Sequence, residues 1–251
     1  MTTKPKMIAL VGCATIILLF ALVTNGCGTH PTPLTSVRDI ARASTDTEQI
    51  VLGFLPVGDY PLLSKFQSLK DVSFFTTDGT GANDEKLQAL SKVKLKNLQG
   101  VLLLNCPRVT DVGIRHLSQI PSLKWLGLEG TSITDAALAI MANDMKLTSV
   151  NVANCSNLSV NGLLQLARSE TLQSFSFPAE SLTQEDVARL IGEFKPNLKW
   201  PSVVDLTGKL NAPALEVIAQ QRGFSLDVRQ TGSMQDLGLR KAQSPTGGLQ
   251  K

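Results

Sequence analysis

A chain of 251 residues, of which 43% are hydrophobic, is long enough to bury a substantial core within one domain. The formal net charge of +3 falls to +1 once residues 1–26 are set aside, because 22 basic residues then face 21 acidic ones. This near-neutral balance, with no basic cluster interleaved with aromatic side chains, argues against a nucleic-acid partner. Aromatic residues make up only 5% of the chain, which favours a core of many small aliphatic contacts.

The N-terminal segment predicts export from the cytoplasm. Lys4 and Lys6 precede an uninterrupted apolar run at residues 7–23, and this order is typical of a secretory signal. The run is also close to the shortest length that spans a bilayer. We therefore predict that residues 1–26 are a signal peptide or a membrane anchor.

The residues after this run carry a lipidation motif. Thr24-Asn25-Gly26-Cys27 resembles a bacterial lipobox, in which a small residue precedes a cysteine that is diacylated and becomes the new N-terminus. The resemblance implies lipidation of Cys27, with Gly26 matching the pattern and Thr24 and Asn25 departing from it. A lipoprotein, an uncleaved anchor and ordinary signal cleavage remain open. The first two would tether the domain in the cell envelope.

The two ends of the remaining chain differ from its middle. Residues 27–36 are polar and contain two prolines, which predicts a spacer. Residues 37–68 predict an N-terminal capping region, with an amphipathic helix at 37–50 followed by a short strand. Residues 201–231 show strand and helix patterns and predict a C-terminal capping region. The tail at 232–251 is predicted to be disordered.

The middle of the chain, residues 69–200, repeats itself. Five lines with apolar residues at their first, fourth and sixth places begin 29, 25, 24 and 25 residues apart, at Leu69, Leu98, Leu123, Leu147 and Leu172. Each line is followed by turn residues and then by an apolar pattern of helical spacing. A strand, a turn and a helix repeated at this period predict a leucine-rich-repeat fold. The expected architecture is an α/β, right-handed solenoid, a short horseshoe with a parallel sheet on its concave side and helices on its convex side.

The repeats resemble the cysteine-containing subclass of leucine-rich repeats, which is attached to F-box domains in eukaryotes and is also found alone in bacteria. That pattern has Asn or Cys at the ninth place and Thr-Asp a few residues later. The ninth place holds Cys106, Thr131 and Cys155 in the three central repeats, and the pair recurs as Thr110-Asp111 and Thr134-Asp135. The first, fourth and fifth repeats lack a clear Thr-Asp pair, and the ninth place of the first and fifth holds Thr77 and Glu180. The resemblance implies a recognition scaffold and is not specific for a ligand.

Cys106, Asp111 and His116 lie close together in sequence and raise the question of a catalytic or metal site. In the subclass the cysteine points inward and closes the turn after the strand. We expect Asp111 to cap the next helix, and His116 to lie on the convex, solvated side because its neighbour Leu117 must face the core. We therefore interpret all three as structural residues. Cys106 and Cys155 stand two repeats apart, about 10 Å, which is beyond the reach of a disulfide.

The concave strand face is the first place to look for a ligand, since alternate side chains of each strand point away from the core. Alternation places Leu102, Leu104 and Trp125 outward on neighbouring strands, with Phe75 on the strand before them and Glu129 beyond Trp125. Apolar patches of this kind mark interfaces, and tryptophan is a frequent anchor. We predict a binding surface at these five residues, with the alternative that the N-terminal segment or an end cap covers them.

These patterns favour a non-enzymatic, membrane-tethered binding module that recognises a protein, or a glycan, through its concave face. A structural envelope protein without a discrete ligand is an alternative. A substrate adaptor of the F-box type is disfavoured, because residues 28–68 are too short and too broken by proline for an F-box. The sequence contains no zinc-ligand spacing, phosphate loop or nucleophile elbow, so no enzyme activity, cofactor, metal or small-molecule substrate is expected.

Overall fold

The computed structural model describes residues 31–52, 54–74 and 81–230. Within these ranges nine strands lie side by side in chain order, each parallel to the next, in one open sheet. They are β1 (Thr32–Leu34), β2 (Gln49–Leu52), β3 (Asp71–Phe74), β4 (Gly100–Leu103), β5 (Trp125–Gly127), β6 (Ser149–Asn151), β7 (Ser174–Pro178), β8 (Trp200–Asp205) and β9 (Asp227–Gln230).

Helices connect the strands, and each packs against the helices before and after it. They are α1 (Val37–Arg42), a 3₁₀ helix (Val57–Lys65), α2 (Asp84–Lys92), α3 (Asp111–Leu117), α4 (Asp135–Asp144), α5 (Val160–Ala167), α6 (Gln184–Glu193) and α7 (Ala212–Gln221). A parallel sheet whose strands alternate with a layer of stacked helices is a leucine-rich-repeat solenoid. The predicted fold is therefore confirmed.

The first, fourth and sixth places of each repeat line form the core. In the second repeat these are Leu98, Val101 and Leu103, all fully buried. Val101 lies opposite Leu126 of the next strand, so equivalent apolar side chains stack from repeat to repeat. Because side chains alternate along a strand, the places between them are left for the concave surface.

A series of aspartates at the helix starts links successive repeats. Asp84 accepts hydrogen bonds from the backbone N–H and the hydroxyl of Thr110, at 2.9 and 2.7 Å. Asp111 accepts the same two bonds from Thr134, at 2.8 and 2.7 Å. The third member of the series joins Asp135 to Ser159. The Thr-Asp pair therefore holds neighbouring repeats together.

This arrangement corrects the expected role of Asp111. The N-cap of α3 is Thr110, whose hydroxyl accepts a hydrogen bond from the N–H of Val112, and the prediction that Asp111 caps its own helix is wrong. Asp111 is the first residue of the helix, and its carboxylate reaches the next repeat instead. Because successive repeats stack in register, the N-cap of the following helix lies within hydrogen-bonding distance.

Residues 27–36 were predicted to be a spacer, but the C-terminal part of this range is a strand in the structure. Residues 32–34 form β1, which pairs in parallel with β2 and buries Leu34 completely. Pro33 is compatible with this strand because β1 is the first strand of the sheet, and an edge strand does not need every N–H for pairing.

The helix predicted at 37–50 is shorter in the structure. α1 ends at Arg42, and the chain continues into β2 after a turn. The ammonium group of Lys65 donates to the carbonyls of Ile40 and Ala43, at 2.6 and 2.9 Å. These bonds satisfy carbonyl groups that the end of a helix leaves without partners.

Four predicted features lie outside the described residues: the signal or anchor at 1–26, the lipidation candidate Cys27, the concave candidate Phe75 and the tail at 232–251. In the ranges that are described, no helix has the length and apolar character that a membrane crossing requires.

Candidate binding surface

Strand register arranges the outward side chains of the sheet in rows. The first row crosses β2 to β8 and consists of Gln49, Asp71, Gly100, Trp125, Ser149, Ser174 and Trp200. The second row consists of Val51, Ser73, Leu102, Gly127, Asn151, Ser176, Ser202 and, on β9, Asp227. Apolar candidates thus lie on β4 and β5, beside a neutral region of hydroxyl and amide groups on β6 and β7.

Two large outward side chains lie on glycines of the neighbouring strand. A Cβ atom on Gly100 would fall among the ring atoms Cε2, Cζ2 and Nε1 of Trp125, so the indole lies over the backbone of β4. A Cβ atom on Gly127 would meet Cδ1 of Leu102, so this leucine lies over β5. We call these two side chains the Trp125–Leu102 pair. Each occupies space that a glycine leaves open, and both are partly buried.

Asp71 binds the edge of the Trp125 ring. Its carboxylate accepts a hydrogen bond from Nε2 of Gln49, at 3.1 Å, and one from the side chain of Trp125, whose indole N–H is its only donor. Desolvation raises the pKa of Asp71, and these hydrogen bonds oppose the rise. Asp71 therefore joins β2, β3 and β5 across Gly100, which has no side chain to block the contact.

Glu129 follows the end of β5. Its Oε1 accepts a hydrogen bond from Nδ2 of Asn154 at 2.9 Å, and Asn151 contributes a second one. Desolvation raises the pKa of Glu129, while the positive charge of Arg229 and the amide hydrogen bonds oppose the rise. Arg229 is on β9, four strands further along the sheet. Its charge therefore acts on Glu129 from another strand of the sheet.

The structure brings four of the predicted site residues together. Leu102, Leu104, Trp125 and Glu129 are all partly buried. For Leu102 and Trp125 this burial comes in part from the glycines beneath them. Phe75, the fifth candidate, lies outside the described residues.

Sequence reasoning missed Asp71 as the partner of Trp125. The repeat pattern could have indicated this contact, because the third place of successive repeat lines is held by Asp71, Gly100 and Trp125. Residues at the same place of successive repeats lie side by side. The structure aligns Trp200 with Ser174 on the first row and leaves its side chain 62% exposed.

Cys106 and Cys155 are buried turn residues, as predicted. They are 0% and 1% exposed, and both are free thiols. The Sγ of Cys155 donates to the carbonyl of Leu128 at 3.0 Å, and the hydroxyl of Thr131 donates to the same oxygen at 2.7 Å. Burial raises the pKa of both thiols, which favours the protonated form and makes them poor nucleophiles.

A catalytic role would require Asp111 to bind His116, but in the structure Asp111 has another partner. Its carboxylate binds Thr134, and it therefore does not serve to orient His116 against Cys106. His116 itself lies partly buried on α3. Across the described ranges, no group of three or more His, Cys, Asp or Glu side chains is placed to hold a metal ion.

No known protein-family model matches this sequence. Among solved structures, the chain is similar to the leucine-rich repeat-containing protein LegL7 from Legionella pneumophila, with a TM-score of 0.50 and 19% identity over 74% of this chain and 64% of LegL7. A chain of the Rad7 and Elc1 complex in yeast aligns with a TM-score of 0.44 and 12% identity over 90% of this chain and 66% of that one. This second similarity is too low to support an inference. The similarity to LegL7 agrees with a leucine-rich-repeat solenoid and concerns the fold alone.

Proposed function

We propose that this leucine-rich-repeat solenoid is a non-enzymatic binding module that recognises a partner protein through its concave surface. The observation that carries the proposal is the Trp125–Leu102 pair, two apolar side chains held in place on the outward face of the sheet. A partner that covers them removes apolar area from water, and a ring that is already fixed loses little conformational freedom on binding.

The chemistry of the surface supports binding rather than catalysis. Its central side chains are hydroxyls, amides and apolar groups, and its two central carboxylates, Asp71 and Glu129, are engaged in hydrogen bonds. The thiols of Cys106 and Cys155 are buried beneath the turns with a raised pKa. Catalysis requires a reactive group with a tuned pKa in a cleft that a substrate can enter.

Site-specific photocrosslinking tests this proposal. A photoreactive amino acid is placed at Leu104, with the same substitution at Val112 as the control, because Val112 lies on the convex helix α3 and is 55% exposed. We expect adducts with one defined partner from position 104 and none from position 112, and we expect Trp125→Ala to abolish them. Equal labelling from both positions, or labelling that survives Trp125→Ala, would place the interface elsewhere.

We further propose that the module is exported and tethered to the cell envelope by its N-terminus. The order of Lys4, Lys6, the apolar run and Cys27 supports this proposal. Mass spectrometry of the mature protein should find a diacylated N-terminal Cys27, and Cys27→Ala should leave an unprocessed or soluble form. Cys13→Ala, a control within the apolar run, should be processed normally. An intact Met1, or an unmodified N-terminus at another position, would contradict lipidation.

A further inference from the structure

The Trp125 ring lies on the outward side of the sheet, and its side chain is only partly buried. Gly100 lies beneath the ring, and Asp71 bonds to the ring edge. The exposed face of an indole attracts cations and flat groups, because the ring carries negative charge density on its faces. The ring is therefore a fixed stacking platform.

Asp71 has unused hydrogen-bonding capacity next to this platform. An ionised carboxylate offers about four acceptor positions, and Gln49 and Trp125 occupy two of them. Lys70, the nearest basic residue in sequence, forms an ion pair with Glu48 at 2.6 Å, and its charge also acts on Asp71. The acceptor positions that remain on Asp71 are available to a donor that arrives on the ring.

The outward positions of the strands themselves carry more carboxylates than cations, while Lys70 and Lys124 flank them one residue before Asp71 and Trp125. At outward positions within or directly after the described strands β2 to β9, the charged residues are Asp71, Glu129, Asp227 and Arg229. Three of these are acids and one is a base; Arg229 pairs with Asp227 at 2.7 Å, and its charge also acts on Glu129. Asp71 and Glu129 lie on opposite sides of the Trp125–Leu102 pair, so a cation is attracted from either side.

We infer that the Trp125–Leu102 pair receives an arginine side chain from a basic segment of the partner protein, an inference that rests on the proposed function. The guanidinium stacks on the outward face of Trp125 and donates to Asp71, while Glu129 attracts a second cation of the same segment. Arginine fits better than lysine because its flat guanidinium stacks on an aromatic face and presents several N–H donors to a carboxylate. A lysine ammonium meets the carboxylate as a point charge but has no flat face to stack.

Tryptophan fluorescence reports on this site once Trp200 is replaced. The chain contains two tryptophans, so Trp200→Phe leaves Trp125 as the single indole. The full-length variant is titrated with short acetylated Gly/Ser peptides that differ only in a central residue, which is arginine, lysine or citrulline. We expect a saturable emission change with the arginine peptide and affinity at least about 10-fold weaker for citrulline, which is flat but uncharged. The affinity of the lysine peptide should fall between those of the other two, and added salt should weaken binding of the arginine peptide.

Matched charge variants distinguish binding at this arginine site from non-specific attraction by the overall charge of the protein. Asp71→Asn should lower the affinity for the arginine peptide about 10-fold, because it removes a charge-assisted hydrogen bond. Glu129→Gln should weaken it less, by about 3-fold. Lys124→Gln changes an exposed charge directly beside Trp125 in sequence and should leave affinity unchanged or raise it. Thermal melts of the three variants should remain cooperative.

Three results overturn the inference: equal affinity for the arginine and citrulline peptides, no saturable response to any peptide, or a response to a neutral oligosaccharide alone. The proposed function has a separate test, which is the photocrosslinking from position 104. If these crosslinks form and depend on Trp125 while the arginine peptide neither binds nor competes, concave recognition stands and the arginine inference falls.

Discussion

The carboxylate of Asp111 binds the N-cap of the following repeat, where it accepts hydrogen bonds from the backbone N–H and the hydroxyl of Thr134 at 2.8 and 2.7 Å. One side chain therefore satisfies a backbone donor of a helix that begins 24 residues later in the chain. In a solenoid each repeat contacts only its neighbours, so such bonds contribute directly to the interface on which stability depends.

Asp111→Ala should destabilise the protein, because it leaves the N–H and hydroxyl of Thr134 without their acceptor. We expect the free energy of unfolding to fall by about 1–3 kcal/mol, measured by urea denaturation. Asp144→Ala provides the control, since Asp144 is exposed at the end of α4, and it should change stability by less than about 0.5 kcal/mol. Equal losses in the two variants would mean that the inter-repeat bond contributes nothing.

Trp125→Ala and Leu126→Ala should separate the concave surface from the core. Leu126 is 1% exposed, and its truncation opens a cavity that costs about 2–5 kcal/mol. Trp125 lies on Gly100 and is only partly buried, so its loss should cost about 1 kcal/mol. Urea denaturation of both variants checks this order. If Trp125→Ala destabilises the protein as much as Leu126→Ala, the ring belongs to the core and the proposed interface is wrong.

Cys106→Thr and Cys155→Ser should fold and retain partner binding, because equivalent turns already accept a hydroxyl at Thr131. The expected loss of stability is about 1–2 kcal/mol for each. In the native protein, alkylation mapped by mass spectrometry should modify Cys106 and Cys155 slowly, and urea should remove this protection. Fast modification of both thiols without denaturant would contradict their burial.

The protein should lose folding stability in acid because the Asp205 carboxylate becomes protonated. Burial raises the pKa of this carboxyl, but hydrogen bonds from the N–H of Leu210, the hydroxyl of Thr207 and Nε2 of Gln230 outweigh that effect and lower the pKa to about 2. Because the folded pKa lies below the unfolded value of about 3.9, the contribution is complete above about pH 5 and is lost progressively as pH falls from there through about 2.

Urea denaturation of the wild type and of Asp205→Asn across this pH range measures the contribution. The wild type should be more stable at neutral pH, and its advantage should shrink by about 2 kcal/mol between about pH 5 and pH 2. Asp144→Asn, which changes an exposed carboxylate, should show no comparable trend. An advantage of Asp205 that is constant with pH would contradict the lowered pKa.

The core and the order of the elements could be predicted from the sequence. Leucines at the first, fourth and sixth places recur at nearly constant spacing, and each local pattern is consistent with a strand whose alternate side chains are buried. The burial of Cys106 and Cys155 was implied by the resemblance to the cysteine-containing repeats. Prediction was weaker at the ends of the solenoid, where β1 forms within a proline-containing stretch because β2 offers it an edge to pair with.

The sequence by itself also determined which residues share a row of the concave surface, since equivalent places of successive repeats must lie side by side. It did not determine that the ring of Trp125 lies over Gly100 and bonds to Asp71, or that Asp111 reaches Thr134. Only the tertiary structure decided these contacts. A side chain adopts the direction in which its neighbours leave space and offer partners, and those neighbours come from other repeats.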